Sequence, residues 1–424
     1  MRHTLTMKNS NTKILQVIFL TIFLDMLGIG ILIPIIPLLV LKTSIFCIIP
    51  ASWSMSQALV MGGWLMATYT LFQFICAPIL GQYSDKFGRR PVLIFSILGT
   101  AISYLIFAYA IYCKNIPLMF LARSIDGATG GNISVAHAVI GDISIPAKRA
   151  RNFGIVGMAL GSGFILGPFV GGKLSDPMMV GWFTSYTPFI FASLLCFLNV
   201  LLILWFLPET LVVNTISVDL ARPFNNIFRA FNDKELRNII PAMFLFNAGF
   251  TFFTTFWGVI LASKFFYNQS QIGNFFAYFG VMVVLAQGVI VRRLSGKIAD
   301  YKVLRISIIA TGFCILTYYF ISFDHVSYIY FIPPIMAIAI ALTKAFSTAL
   351  LTRITKVEIR GEVMGINSSS NALSGTIPAL IAGYLASGHI MYPVLIGGMC
   401  TILGGLFFIY KFIPNRFCGV MELE

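Results

Sequence analysis

The chain has 424 residues, is 58% hydrophobic and only 10% charged, and carries a net charge of +14 with a mean hydropathy of +0.89. Soluble domains carry about 25% charged residues; no water-soluble core could hide this much apolar surface, so the composition excludes a soluble protein and requires a polytopic membrane one. The basic excess would raise nucleic acid as a partner on a soluble chain; here it belongs to loops on one membrane face, with the lipid bilayer and no nucleic acid as partner.

Met1 to Lys13 is polar and basic. The apolar run after it is too long for a cleaved signal and has no small-residue cleavage site, which predicts a retained first helix. A spanning helix needs about 20 apolar residues. Twelve runs qualify: 14–41, 57–80, 91–112, 116–140, 152–174, 188–207, 238–262, 272–291, 304–323, 327–350, 363–386 and 392–412. The longest polar segment, Pro208 to Arg237, falls between the sixth and the seventh and reads as a cytoplasmic linker, with a short amphipathic helix around Phe224 to Phe231. The expectation is an all-α integral membrane protein: an N-terminal six-helix bundle over 1–207, the linker over 208–237 and a C-terminal six-helix bundle over 238–424. Seven cysteines form no C-x-x-C pair and mostly lie in apolar runs, so they read as packing residues.

Counting loops from a cytoplasmic N-terminus puts nearly every loop lysine and arginine on one face, leaving Lys42, Lys114, Lys173 and Lys264 on the other. Positive charge stays inside, so both termini are expected in the cytoplasm. Two loop patterns recur. Gly81, Asp85 and Arg90 have the spacing of Gly296, Asp300 and Arg305, and Arg149 to Gly154 has the spacing of Arg360 to Gly365. The two pairs lie at nearly one offset, which implies parallel halves related about the membrane normal.

Several polar residues sit where apolar ones are expected. Asp25 lies in a run interrupted by Gly28, Gly30, Pro34 and Pro37; Arg123 and Asp126 are three apart, on one helix face. Charge at bilayer depth costs roughly 2.5–3.5 kcal/mol, so it faces a cavity or a partner. A lone carboxylate such as Asp25 can exchange a proton near neutral pH, as a coupling or substrate-cation site; the competing reading is a helix–helix hydrogen bond. Arg123 and Asp126 read equally as a functional or a structural pair. Lys344 is the lysine inside a helix of the second half; it is read either as a snorkelling residue near the cytoplasmic end or as a counter-ion for an anionic substrate. Gln57, Gln73, Asn132, Asn247, Gln287, Asn367 and Asn371 are helix positions that could line a cavity. No P-loop, metal-ligand cluster or catalytic spacing stands out, so the chain reads as no enzyme and calls for no cofactor.

Four stretches together resemble the Major Facilitator Superfamily. Gly81, Asp85, Gly88, Arg89 and Arg90 follow its loop between helices two and three, with Tyr83 at the usual leucine; Leu24 to Pro37 resembles the first-helix signature of its exporters; Arg123 to Gly127 resembles the fourth-helix motif, with Asp126 at the customary polar position. Gly163, Gly167, Pro168, Gly171 and Gly172 fill every fixed position of the fifth-helix antiporter signature. Within the superfamily the chain resembles the twelve-helix drug:proton antiporters, the tetracycline-efflux type in particular.

That resemblance implies a monomeric secondary transporter of a bacterial inner membrane, exporting a small amphipathic compound against protons by alternating access. Asp25, Arg123 and Asp126 would couple to protons, the Gly81–Arg90 loop would gate, and Lys344, Asn132, Asn247 and Gln287 would be candidates for substrate. In the gate, Asp85 is expected to cap a helix and pair with arginines of a neighbouring loop; the bland alternative is a solvated turn. The rival is an importer or symporter of a small metabolite or siderophore, for which departures in the second half such as Lys344 and Val303 leave room. A sensor or assembly factor that does not transport is a further alternative, and it would not need Asp25.

Overall fold

A computed structural model describes residues 2–42, 44–144, 149–211, 219, 221, 224–225, 228–229, 232, 236–355 and 360–412. The helices, in chain order, are α1 (Arg2–Val40), α2 (Met55–Phe87), α3 (Arg89–Tyr112), α4 (Ile116–Thr129), α5 (Asn132–Ile143), α6 (Arg149–Leu174) and α7 (Thr187–Phe206). After the linker come α8 (Ile240–Lys264), α9 (Gln269–Leu285), α10 (Asp300–Tyr319), α11 (Ile332–Ile354), α12 (Arg360–Gly388) and α13 (Tyr392–Lys411). A π-helical turn, Ala286–Val291, extends α9. Among the described residues nine helices are long and apolar enough to cross a membrane, from Lys13–Val40 to Tyr392–Lys411. The expected fifth and eleventh spans are α6 and α12, of 26 and 29 residues, long enough at about 1.5 Å per residue to span about 30 Å of hydrocarbon. Most of the linker lies outside the described residues, as do the side chains of Arg149 and Arg360.

Two expectations about helix continuity change. Pro34 and Pro37 lie inside an unbroken α1, which a membrane helix tolerates when neighbours satisfy the freed backbone groups. The fourth span, expected to be continuous, is divided at Gly130–Gly131 into α4 and α5. A Cβ at Gly131 would lie 2.9 Å from the Ala77 Cα, and one at Gly127 would strike the Tyr69 carbonyl. The glycines therefore let this segment lie backbone-to-backbone on α2, and two adjacent glycines hold a helix poorly.

The chain divides into two compact units: Met1–Ala51 with Thr68–Arg222 and Asn268–Ala277, and Ser52–Ala67 with Pro223–Tyr267 and Tyr278–Glu424. In the first, α1 packs along α6 and α7, and α3 along α4 and α7. In the second, α13 packs along α8 and α10, and α12 along α8. Close crossings rest on glycine in both. A Cβ at Gly397 would lie 2.6 Å from the Gly249 carbonyl, and one at Gly404 2.9 Å from the Ala242 carbonyl. Lipid supplies no hydrophobic drive between helices, so such contact is the main source of their packing energy.

Candidate functional site

Within the first unit, four helices and the start of a fifth bring a set of ionisable and polar side chains into one buried cluster. Asp25 of α1 is 3% exposed, and its Oδ1 accepts a hydrogen bond from Asn132 Nδ2 at 3.1 Å. Asn132 opens α5, just after the glycine break, so the break is what aims it. The other Asp25 oxygen, Oδ2, has no hydrogen-bond partner among the described residues. In the two turns before the break, Arg123 donates from NH1 to Asp126 Oδ2 at 2.8 Å, both side chains being buried. The Arg123 guanidinium lies over the Tyr69 ring, 4.6 Å from its centroid; a desolvated cation–π contact of this kind is worth up to about 2 kcal/mol. Gln73 donates to the Tyr69 hydroxyl and to the Gly130 carbonyl, each at 2.9 Å, so it satisfies a carbonyl freed by the break. Tyr104 of α3 reaches Gly28, where any side chain would meet its hydroxyl. Asp25 interacts electrostatically with both Asp126 and Arg123.

The charge balance of this cluster is simple. Arg123 and Asp126 neutralise each other, so the cluster is neutral when Asp25 carries a proton and has one excess negative charge when it does not. The desolvation cost of a buried charge makes those two states very different in energy. Asn132, expected as a candidate for substrate, donates to Asp25. Tyr69 and Tyr104 were not singled out in the sequence, where an aromatic in a membrane helix looks like packing.

The α6 motif covers the same part of α1. A Cβ at Gly163 would lie 2.5 Å from the Phe23 carbonyl, at Gly167 2.6 Å from the Leu27 carbonyl, and at Gly171 2.6 Å from the Ile31 carbonyl. These three glycines form one face that follows the backbone on both sides of Asp25, with Pro168 against Gly30. Gly172 points elsewhere, its missing Cβ 2.5 Å from the Gln269 carbonyl of α9.

The Gly81–Arg90 segment, expected as a loop, is mostly helix. Gly81 and Asp85 lie inside α2, and the turn is made at Gly88, with φ 99°. Asp85 is no helix cap; its Oδ1 meets Arg89 NH1 at 2.6 Å, one turn along the chain. The partner of Arg89 from another helix is Asp142 at the end of α5, at 3.2 Å. Glu209, just past α7, accepts hydrogen bonds from the Arg89 and Arg90 backbone N–H groups at 2.8 and 3.1 Å. A carboxylate on the first N–H groups of α3 is favourable for both the unpaired donors and the helix dipole. Asp142 and Glu209 were missed in the sequence; the available signal was that each is an acid beside the end of an apolar run on the basic face.

The matching segment of the second unit keeps the spacing but not the geometry. There Gly296 makes the turn, with φ 76°, and Asp300 begins α10 rather than ending the helix before it. Asp300 is 6% exposed and pairs with Arg353 at the end of α11, Oδ2 to Nε 3.3 Å.

Lys344 lies in the middle of α11, 12 residues after Ile332 and 10 before Ile354, so about 15 Å or more from either end. That depth overturns the snorkelling reading. Its Nζ lies over the Phe250 ring of α8, 5.6 Å from the centroid. Asn247, one turn from Phe250, donates to Asn371 Oδ1 of α12 at 2.8 Å. Gln287 falls in the π-helical turn, exposed, with no hydrogen bond to these residues among those described. Gln57 is also no cavity residue: it accepts from Ser54 N at 2.8 Å and donates its own N–H to Ser54 Oγ at 3.2 Å, a reciprocal cap at the start of α2.

Known proteins resemble this chain in sequence and fold. The chain is 27% identical over 414 residues to the class H tetracycline resistance protein of Pasteurella multocida, covering 96% of each. It is 30% identical over 393 residues to the class C tetracycline resistance protein of Escherichia coli, covering 90% of this chain and 91% of that one. Its fold superposes on a D-xylose–proton symporter with a TM-score of 0.77 at 17% identity, covering 95% and 98% of the two chains. It superposes on the human organic anion transporter MFSD10 with a TM-score of 0.69 at 21% identity, covering 94% and 98%. The Major Facilitator Superfamily profile matches residues 18–343 and again 239–417. With nearly the whole chain matched, and the second match starting where the second set of helices starts, the chain belongs to the Major Facilitator Superfamily of membrane transporters.

Proposed function

We propose that this transporter is a proton-coupled antiporter that exports a small amphipathic compound by alternating access, working as a monomer in a bacterial inner membrane with both termini cytoplasmic. The observation that carries the reading is the buried Asp25 carboxylate, held by one hydrogen bond from Asn132 beside the neutral Arg123–Asp126 pair. Proton uptake and release there changes the charge of a desolvated site by a full unit, which is the kind of event that can bias two conformations of a membrane protein. The antiporter-motif glycines of α6 sit directly on that stretch of α1, so a change at Asp25 has a rigid neighbour to act on. The kinship with tetracycline resistance proteins favours export over import.

The test uses inverted membrane vesicles with an imposed pH gradient, to which cationic, neutral and anionic amphiphiles are added. At least one compound is expected to dissipate the gradient with the native chain and to have no effect with Asp25→Asn, a substitution that keeps shape and hydrogen bonding but cannot ionise. Uptake of a nutrient or siderophore by whole cells, with no proton release on adding any amphiphile, would overturn export.

A further inference from the structure

The second unit carries a cation, Lys344, that no carboxylate neutralises among the described residues. Between Asn238 and Lys411 the acids are Asp300, Asp324, Glu358 and Glu362. Asp300 begins α10 and is engaged by Arg353, and in the sequence the other three fall between the expected spans 304–323, 327–350 and 363–386. Lys344, at mid-span, has no carboxylate within ion-pair distance among the described residues. A lysine at that depth cannot face hydrocarbon without a large cost, yet Lys344 is exposed. The face it belongs to must therefore be polar and wet rather than lipid-covered.

Three further side chains mark that face. Phe250 lies under the Lys344 ammonium, and Asn247 and Asn371 are joined by a single amide–amide hydrogen bond. Asn247 uses one donor in that bond and Asn371 one acceptor, which leaves amide groups of both free for a ligand. Their depths agree: Phe250 is 10 residues into α8, Asn371 is 11 residues into α12, and Lys344 is 10 residues from the end of α11 that the following connection joins to α12. At about 1.5 Å per residue all three lie roughly 15 Å from one membrane face. One unpaired ammonium, amide donors and an aromatic ring at the same level match a planar ligand with a negative end.

We infer that Lys344, the Asn247–Asn371 pair and Phe250 form a subsite for an organic anion, the carboxylate or other acidic group lying on Lys344 and the amides and the apolar body on Phe250. This rests on the chain being a transporter of small amphipathic compounds, and it assigns the charge class of that compound. The Arg123 guanidinium is engaged by Asp126 and Tyr69, whereas Lys344 has no carboxylate partner among the described residues and is available to a ligand.

The experiment measures equilibrium binding to the purified full chain in lipid nanodiscs, with no gradient imposed. The probes are aryl carboxylates of one, two and three fused rings, with the corresponding neutral carboxamides and primary arylmethylammonium ions. The carboxylates are expected to bind, and the amides and ammonium ions at least about tenfold more weakly, since a hydrogen bond to a charged group is worth about that factor or more. Lys344→Gln should remove the preference for the carboxylate, and Lys344→Arg should keep it. Thermal unfolding of each variant shows whether it is folded, and Lys344→Arg carries the test if Lys344→Gln is not. Equal binding of the three charge classes, no binding of any carboxylate, or an unchanged preference in folded Lys344→Gln would overturn the subsite. Because no proton gradient is involved, this result stands apart from the vesicle assay: loss of gradient dissipation with carboxylate binding intact counts against antiport and not against the subsite.

Discussion

Gly167 and Gly161 lie on the same helix, α6, but in opposite surroundings. A Cβ at Gly161 meets nothing within 4 Å, whereas one at Gly167 lies 2.6 Å from the Leu27 carbonyl and 2.7 Å from the Gly30 Cα. Ordinary contact begins near 3.4 Å, so Gly167→Ala requires the α1–α6 crossing to open by about 0.8 Å. Both partners are backbone, and no side chain can rotate away. Overpacking of this kind costs about 1–3 kcal/mol. Each alanine also gains about 1 kcal/mol of helix propensity, and because the gain is common to both, the difference between the variants isolates the crossing. The assay is thermal unfolding of purified protein followed by tryptophan fluorescence. Gly161→Ala should unfold at or above the native temperature and Gly167→Ala several degrees lower. Gly167→Val should be lower again, because its branches have the same backbone to meet. Equal stability of Gly161→Ala and Gly167→Ala would refute a backbone contact between α1 and α6.

Other substitutions follow from the same geometry. Gly88→Ala should destabilise by about 1 kcal/mol or more, read as a lowered unfolding temperature, because the positive φ disfavours any L side chain and the new methyl would meet Glu209. Glu209→Gln should cost about 0.3–1 kcal/mol in the same measurement, through loss of the charge at the α3 N-terminus, and Glu209→Ala should cost more because the hydrogen bonds go too. Arg353→Ala should change stability by less than about 1 kcal/mol, since the arginine is 53% exposed in its pair with Asp300. Asn132→Ala removes the hydrogen bond seen on Asp25 and is expected to slow substrate-driven proton release while leaving the unfolding temperature within a few degrees of native; unaltered proton release would remove Asn132 from the coupling path.

The sequence by itself determined that the chain crosses a membrane many times, because hydropathy and the sorting of loop charges depend on composition and order alone. It also marked Asp25, Arg123, Asp126 and Lys344, because an ionisable group in an apolar run is visible without coordinates. Only the tertiary structure decided what these groups do to one another. Asp25 and Asn132 are 107 residues apart in the chain, and Gly130–Gly131, which a continuous apolar run conceals, aims one at the other. The equal spacing of Gly81–Arg90 and Gly296–Arg305 fixed a repeat but not a shape: the turn falls at Gly88 in one and at Gly296 in the other. Residue spacing records where a backbone is able to turn, and where it does turn depends on the groups that receive its free N–H groups and carbonyls. For α3 that group is the Glu209 carboxylate, some 120 residues away in the chain.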